Sequence, residues 1–118
     1  MERKDEHLKL AISFHDETKK SDFDLIDFVH NSLPNTNVDN IDISTSIATF
    51  TQSNPFYING MTGGTELTKN FNQKLAILAR ETNTMMGVGS LSVALRHKEI
   101  EDTFKIVRKE NKNGIIFA

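Results

Sequence analysis

With 118 residues, 37% of them hydrophobic and 25% charged, and a net charge of −2, the chain has the size of one domain and the make-up of neither a disordered nor a membrane protein. It has no cysteine, which excludes disulfides and thiolate metal sites, and its 16 acids against 14 bases leave no electrostatic footprint for nucleic acid. No apolar run approaches about 18 residues, and the start Met1-Glu2-Arg3-Lys4-Asp5-Glu6-His7 is charged, so no membrane span and no signal peptide are expected, and a cytoplasmic location is.

The first part of the chain, up to about Asn54-Pro55, is polar and irregular. Residues 2–13 suit a helix, with Leu8, Ala11 and Ile12 on one face and Asp5 and Glu6 near its start, where the helix dipole favours acids. Asp16 to Asp22 reads as a loop, and Phe23 to His30 has no clear period. Leu33-Pro34-Asn35 is a turn signal. Ile41-Asp42-Ile43 alternates and recurs as Ile47-Ala48-Thr49-Phe50, which predicts a short hairpin bent near Ser44-Thr45.

After Pro55 the pattern sharpens. Phe56-Tyr57-Ile58 predicts a buried strand. Residues 65–81 predict a helix whose apolar face is Leu67, Phe71, Leu75 and Leu78. Met85-Met86-Gly87-Val88 is the next strand candidate. Residues 98–110 predict a second helix facing inward with Ile100, Phe104 and Val107, stopped by Asn113-Gly114. Ile115 to Ala118 is a third apolar strand. The order β-α-β-α-β predicts parallel strands joined by right-handed crossovers. Strand starts near 56, 85 and 115 give periods of 29 and then 30 residues, close to the roughly 31 per unit of a (β/α)8 barrel, although a doubly wound sheet has similar units. A parallel sheet that ends on four apolar residues has open edges and bare faces, so a chain cut inside a larger fold is expected; a small complete α/β domain is the alternative.

Three constellations could carry chemistry. Asn59-Gly60-Met61-Thr62-Gly63-Gly64-Thr65 closes one strand and opens a helix, where glycines admit a ligand to the backbone and helix N–H groups favour an anion. It is neither a dinucleotide fingerprint nor a P-loop, and a tight βα turn explains it equally well. Gly87-Val88-Gly89-Ser90 ends the next strand, and close strand–helix packing is its plain explanation. Together the two loops would open on one face of a barrel and floor a flat ligand. Arg3-Lys4 with His7 could meet a phosphate, although a solvated charge pair is the default. His15, His30 and His97 lack ligand spacing, and Asp24, Asp27, Asp39 and Asp42 look like turn and cap residues.

In order along nearly the whole chain, these pieces resemble one family. They are Arg3-Lys4-Asp5-Glu6-His7, Phe28-Val29-His30-Asn31-Ser32-Leu33-Pro34, Asp39 to Ser44, Tyr57 to Gly64, and Met86-Gly87-Val88-Gly89-Ser90. The set resembles the N-terminal portion of type 2 isopentenyl-diphosphate isomerase, the FMN-dependent form. The resemblance implies the first part of a (β/α)8 TIM barrel, about three βα units over 55–118, preceded by a helix-and-hairpin extension over 1–54. It implies an enzyme that interconverts isopentenyl and dimethylallyl diphosphate with reduced FMN, Mg2+ and NADPH, as a homo-oligomer when full length. Another FMN-dependent barrel oxidoreductase and a non-catalytic remnant are the alternatives.

Carried over by position, the resemblance implies FMN contacts at Gly60, Met61, Thr62 and Ser90. It implies contacts with the diphosphate substrate at Arg3, Lys4, His7, Ser90 and Ser92. Gly60 departs from the Ala usual in the family, and Leu91-Ser92 stands where many members have Gln-Arg. It assigns no catalytic residue and no metal ligand to these 118 residues. The chain alone is accordingly expected to hold FMN weakly and to lack isomerase activity.

Overall fold

The computed structural model describes residues 2–118 and is a mixed α/β structure. Helix α1 spans Glu2–Ser13. Two short 3-10 turns follow, Asp22–Leu25 and Val38–Asn40. Strands β1 (Thr45–Ile47) and β2 (Phe50–Gln52) form an antiparallel hairpin in which Ile47 faces Phe50. The hairpin turns at Ala48-Thr49, with Ala48 at φ +54°, and not near Ser44-Thr45 as the alternation predicts. Ile41 and Ile43 are exposed and belong to no strand, so the alternation there marks a surface path rather than a sheet.

Strands β3 (Tyr57–Ile58), β4 (Met85–Gly87) and β5 (Ile116–Phe117) form a three-stranded parallel sheet in the order β3-β4-β5. Tyr57 pairs with Met85, and Met86 with Ile116, as the β-α-β-α-β order predicts. Helix α2 (Glu66–Glu81) crosses from β3 to β4. The second crossover contains a short helix α3 (Ser92–Arg96), a 3-10 turn at Lys98–Ile100 and helix α4 (Asp102–Glu110). The predicted helix over 98–110 thus begins later, and α3 was not legible in so short a segment. Its inward face is as expected, since Ile100, Phe104 and Val107 are buried.

The core lies between one face of the sheet and α2 and α4. Ala76, Ala79, Met86, Ile106 and Val107 form it, with Ile58, Leu75, Val88 and Ile116 packed against them. Here the expected face of α2 is corrected. Thr68, Asn72, Ala76 and Ala79 are buried, while Leu67, Phe71 and Leu78 are exposed. Small side chains let the helix lie close to the sheet and to α4. Of the expected stripe Leu75 packs against the core, while the other three bulky side chains turn outward.

The opposite face of the sheet carries Tyr57 and Phe117, whose rings are 5.8 Å apart and both half exposed. The hairpin meets the sheet through buried Gln52. Its amide nitrogen donates to Phe56 O at 2.7 Å and its oxygen accepts from Met85 N at 3.0 Å. The hairpin therefore sits at the N-terminal ends of the strands. An apolar hollow of about 670 Å3 lies there, lined by Ile47, Phe50, Tyr57, Met85 and Phe117 among others. The glycine loops lie at the other end.

Candidate functional site

The loop after β3 is held from three sides. Thr62 O accepts from Asn72 Nδ2 of α2 at 3.0 Å and from Gly89 N at 3.2 Å. Gly64 N donates to Thr103 Oγ1 of α4 at 2.9 Å, and that hydroxyl donates on to Ile100 O. Gly64 has φ +103°, a conformation that favours glycine. A Cβ on Gly63 would collide with the Phe104 ring. Thr65 then caps α2, its hydroxyl accepting from Thr68 N.

The glycines at the strand ends have a plain packing role as well. A Cβ on Gly60 would strike Val88 O, and one on Gly89 would lie 2.7 Å from Thr62 O. One on Gly87 would lie 2.7 Å from Gly60 N. The two loops touch each other through backbone, and only glycine leaves room for that.

Helix α1 docks on this loop. Asp5 accepts a hydrogen bond from the Thr65 hydroxyl, across 60 residues of sequence. Lys4 Nζ lies 5.5 Å from the centre of the Phe104 ring, in cation–π range. Desolvation by burial pushes the Lys4 amine below its ordinary range, and its Nζ has no hydrogen-bond partner among the described residues. Thr62 is 4% exposed, and its hydroxyl also lacks a hydrogen-bond partner among the described residues. Lys4, His7, Met61 and Thr62 line a nook of about 10 Å3, room for one water. Arg3, Lys4, Gly63, Gly64 and Val93 line an adjoining hollow of about 190 Å3.

The structure thus brings Arg3, Lys4 and His7 to Met61, Thr62 and the two glycines. Met61 is 68% exposed beside the buried Thr62. Ser90 and Ser92 lie apart from both hollows. Both are exposed and bonded to each other, Oγ to Oγ at 2.9 Å. Asp5, Asn72, Thr103 and Phe104 hold the site in place, a role the sequence did not assign to them. Asp5 left only the signal of an acid near a helix start, as Glu6 did, and Phe104 only that of an inward helix face. Among the described residues no three His, Asp or Glu side chains converge as a metal site would require. Among the described residues no helix is long and apolar enough to cross a membrane.

No family model matches the chain. Curated relatives do. The isopentenyl-diphosphate delta-isomerase of Staphylococcus saprophyticus subsp. saprophyticus is 50% identical over 117 residues, covering 99% of this chain and 33% of that protein. The protein of the same name from Staphylococcus aureus (strain JH9) is 48% identical over the same extent. The chain spans about a third of the length of the curated relatives it matches. Over nearly its whole length it is homologous to proteins named isopentenyl-diphosphate delta-isomerase, which makes it the counterpart of a portion of a larger protein of that kind.

Proposed function

We propose that this chain is the N-terminal portion of an FMN-dependent isopentenyl-diphosphate delta-isomerase of isoprenoid biosynthesis. In this reading residues 1–54 are its substrate arm and hairpin, and 55–118 are the first three strands of a (β/α)8 barrel. The observation that carries the reading is the docking of α1 on the glycine loop. It leaves Lys4 Nζ and Thr62 Oγ1, two buried polar atoms without hydrogen-bond partners among the described residues, around one nook.

The parts have distinct work. Arg3 and Lys4 supply positive charge for a diphosphate, and an anion beside Lys4 would relieve the cost of burying its amine. The hollow of about 190 Å3 beside Arg3 and Lys4 has room for such an anion, and His7, on the adjoining nook, would hold the substrate end. The backbone at Gly60, Met61 and Thr62, with Ser90 on the neighbouring loop, would bear the flavin. Of these, Met61 and Ser90 are exposed at the C-terminal ends of β3 and β4 and are open to such a group. The chemistry supplied by bound reduced FMN is proton addition and removal on the five-carbon unit. Ser92 holds the Ser90 hydroxyl and so would orient it. The Mg2+ and NADPH of the reaction would be met by the remaining two thirds, as would the contacts of a cytoplasmic homo-oligomer.

The bare sheet face, with Tyr57 and Phe117 half exposed, supports the same reading, since parallel sheets are covered on both sides. The test is a chimera in which residues 1–118 are followed by the remaining two thirds of the Staphylococcus saprophyticus relative. It is expected to bind FMN and, with Mg2+ and a reductant, to convert isopentenyl diphosphate to dimethylallyl diphosphate. The 118-residue chain alone is expected to hold FMN weakly and to turn over nothing. An inactive, flavin-free but folded chimera would overturn the reading.

A further inference from the structure

Residues 9–44 are all exposed. Their composition is not that of a linker. The stretch carries Phe23, Leu25, Ile26, Phe28, Val29 and Ile41, with Phe28 95% and Val29 101% exposed. Yet its path is shaped. Ser21 and Asp24 form a reciprocal cap, and the side-chain oxygens of Asp16, Asn31, Asn37 and Asp42 each accept from the backbone N–H two residues on. These turns fix a course that touches little else in the chain. The two ends of the course are also fixed. Asp5 holds α1 at the C-terminal ends of the strands, and Gln52 holds the hairpin at their N-terminal ends. The segment is therefore a strap that leads from one end of the strands to the other. It contributes to a radius of gyration of 18.1 Å, where a compact chain of this length has about 13–14 Å.

An exposed apolar strap of defined course is the imprint of a surface it lies on. We propose that this surface belongs to the polypeptide that makes up the other two thirds of the relatives, and that the strap is its docking site on this chain. The inference rests on the reading of the chain as a portion of such a protein. Length favours this occupant, because the matched relatives are three times as long as the chain. Continuity favours it too, because the bare sheet face and the edge strands β3 and β5 on the same chain call for a partner of that size. Charge adds a requirement. Between Phe14 and Ser44 seven acids stand against two bases, so the covering surface is apolar with lysines or arginines at its borders.

The experiment compares one double substitution in two contexts, the 118-residue chain and the chimera with the Staphylococcus saprophyticus remainder. F28D/V29D is expected to leave the melting midpoint of the chain alone unchanged, because neither side chain packs within it. In the chimera the same pair is expected to lower the midpoint by about 8 °C or more, while F28L restores most of it. A chimera as stable with F28D/V29D as without overturns the inference and leaves the functional reading intact. A chimera that folds without flavin or activity overturns the reading and the inference with it. If the chain alone forms a dimer by light scattering, and F28D/V29D abolishes that dimer, the strap's partner is a second copy and the inference is wrong.

Discussion

Asp5 and Thr65 join the first helix of the chain to the cap of the second. The Thr65 hydroxyl donates to the Asp5 carboxylate while accepting from Thr68 N, so one side chain both starts α2 and anchors α1. The carboxylate also sits near the N-terminal end of α2, where the helix dipole favours negative charge. Besides this bond, α1 is fixed over the glycine loop by Leu8, the one buried residue among its described side chains, and by Lys4 on the Phe104 ring.

Asp5→Ala removes the anchor and spares the cap. A hydrogen bond to a charged group contributes about 1.5 kcal/mol at a half-exposed position, so amides within Glu2–Ser13 should exchange roughly tenfold faster while global stability hardly moves. Thr65→Ala removes both roles and should lower global stability by about a further 1 kcal/mol. Hydrogen exchange and urea unfolding separate the two. Equal effects from both substitutions would show that the anchor has no independent role.

The Lys4 amine is held below its usual range by desolvation. The docked arm then binds fewer protons than the undocked one. Docking should strengthen as pH rises through the lowered value towards the ordinary 10.5, and the gain should be complete above it. Inorganic pyrophosphate should reverse this, raising the Lys4 titration and holding the arm down at neutral pH. Nitrogen NMR of the lysine side chain follows both effects, and Lys4→Met should erase them. A Lys4 that titrates with the exposed lysines and ignores pyrophosphate would remove the diphosphate role.

Gly63 and Phe104 occupy one space, since a Cβ at 63 would meet the ring. Gly63→Ala should cost about 2–3 kcal/mol, the usual cost of overpacking a filled site. It should also move the ring on which Lys4 rests. Phe104→Leu frees the space, so Gly63→Ala in that background should cost about 1 kcal/mol less or better, a coupling read by a double-mutant cycle. Additive costs would mean the ring is not the obstacle.

Periodicity announced α2 and α4 and the parallel strand order, because apolar spacing and crossover rules are local properties of the chain. It misplaced the inward face of α2, and the reason is physical. A stripe of Leu67, Phe71 and Leu78 says that some apolar partner is present, but not which one. Against the sheet the closest approach is made by Ala76 and Ala79, which leave no strong signal of their own. The hairpin bend was missed for a similar reason, since Ile41 and Ile43 alternate as a strand would. The glycine loops were legible as loops at strand ends. Their supports, Asn72 and Thr103, were not, because a polar residue on a helix reads as solvent-facing until the fold buries it. The correction of α2 is itself testable. Ala76→Leu should cost about 1–3 kcal/mol, whereas Leu67→Gln should stay within about 0.5 kcal/mol in the 118-residue chain. The reverse ranking in urea unfolding would restore the face that spacing alone suggests.

Gln52 offers a test of how the hairpin is fixed to the sheet. It is buried, donates to Phe56 O and accepts from Met85 N. Gln52→Leu keeps the volume and strands the Met85 N–H in a buried place, for an expected loss of about 1–3 kcal/mol. Gln52→Glu is the more telling change. A carboxylate still accepts from Met85 N, but faces Phe56 O with no proton to donate. The protonated acid restores the donor. Burial and the facing carbonyl should raise the folded-state value above the ordinary glutamate value of about 4.3. By linkage, the stability of Gln52→Glu should be near that of the parent below the ordinary value and should fall as pH rises through the raised one. Urea midpoints taken against pH, with the parent as reference, would show this. A variant as stable as the parent at neutral pH would mean that the Phe56 contact contributes nothing and the hairpin is held by Met85 alone.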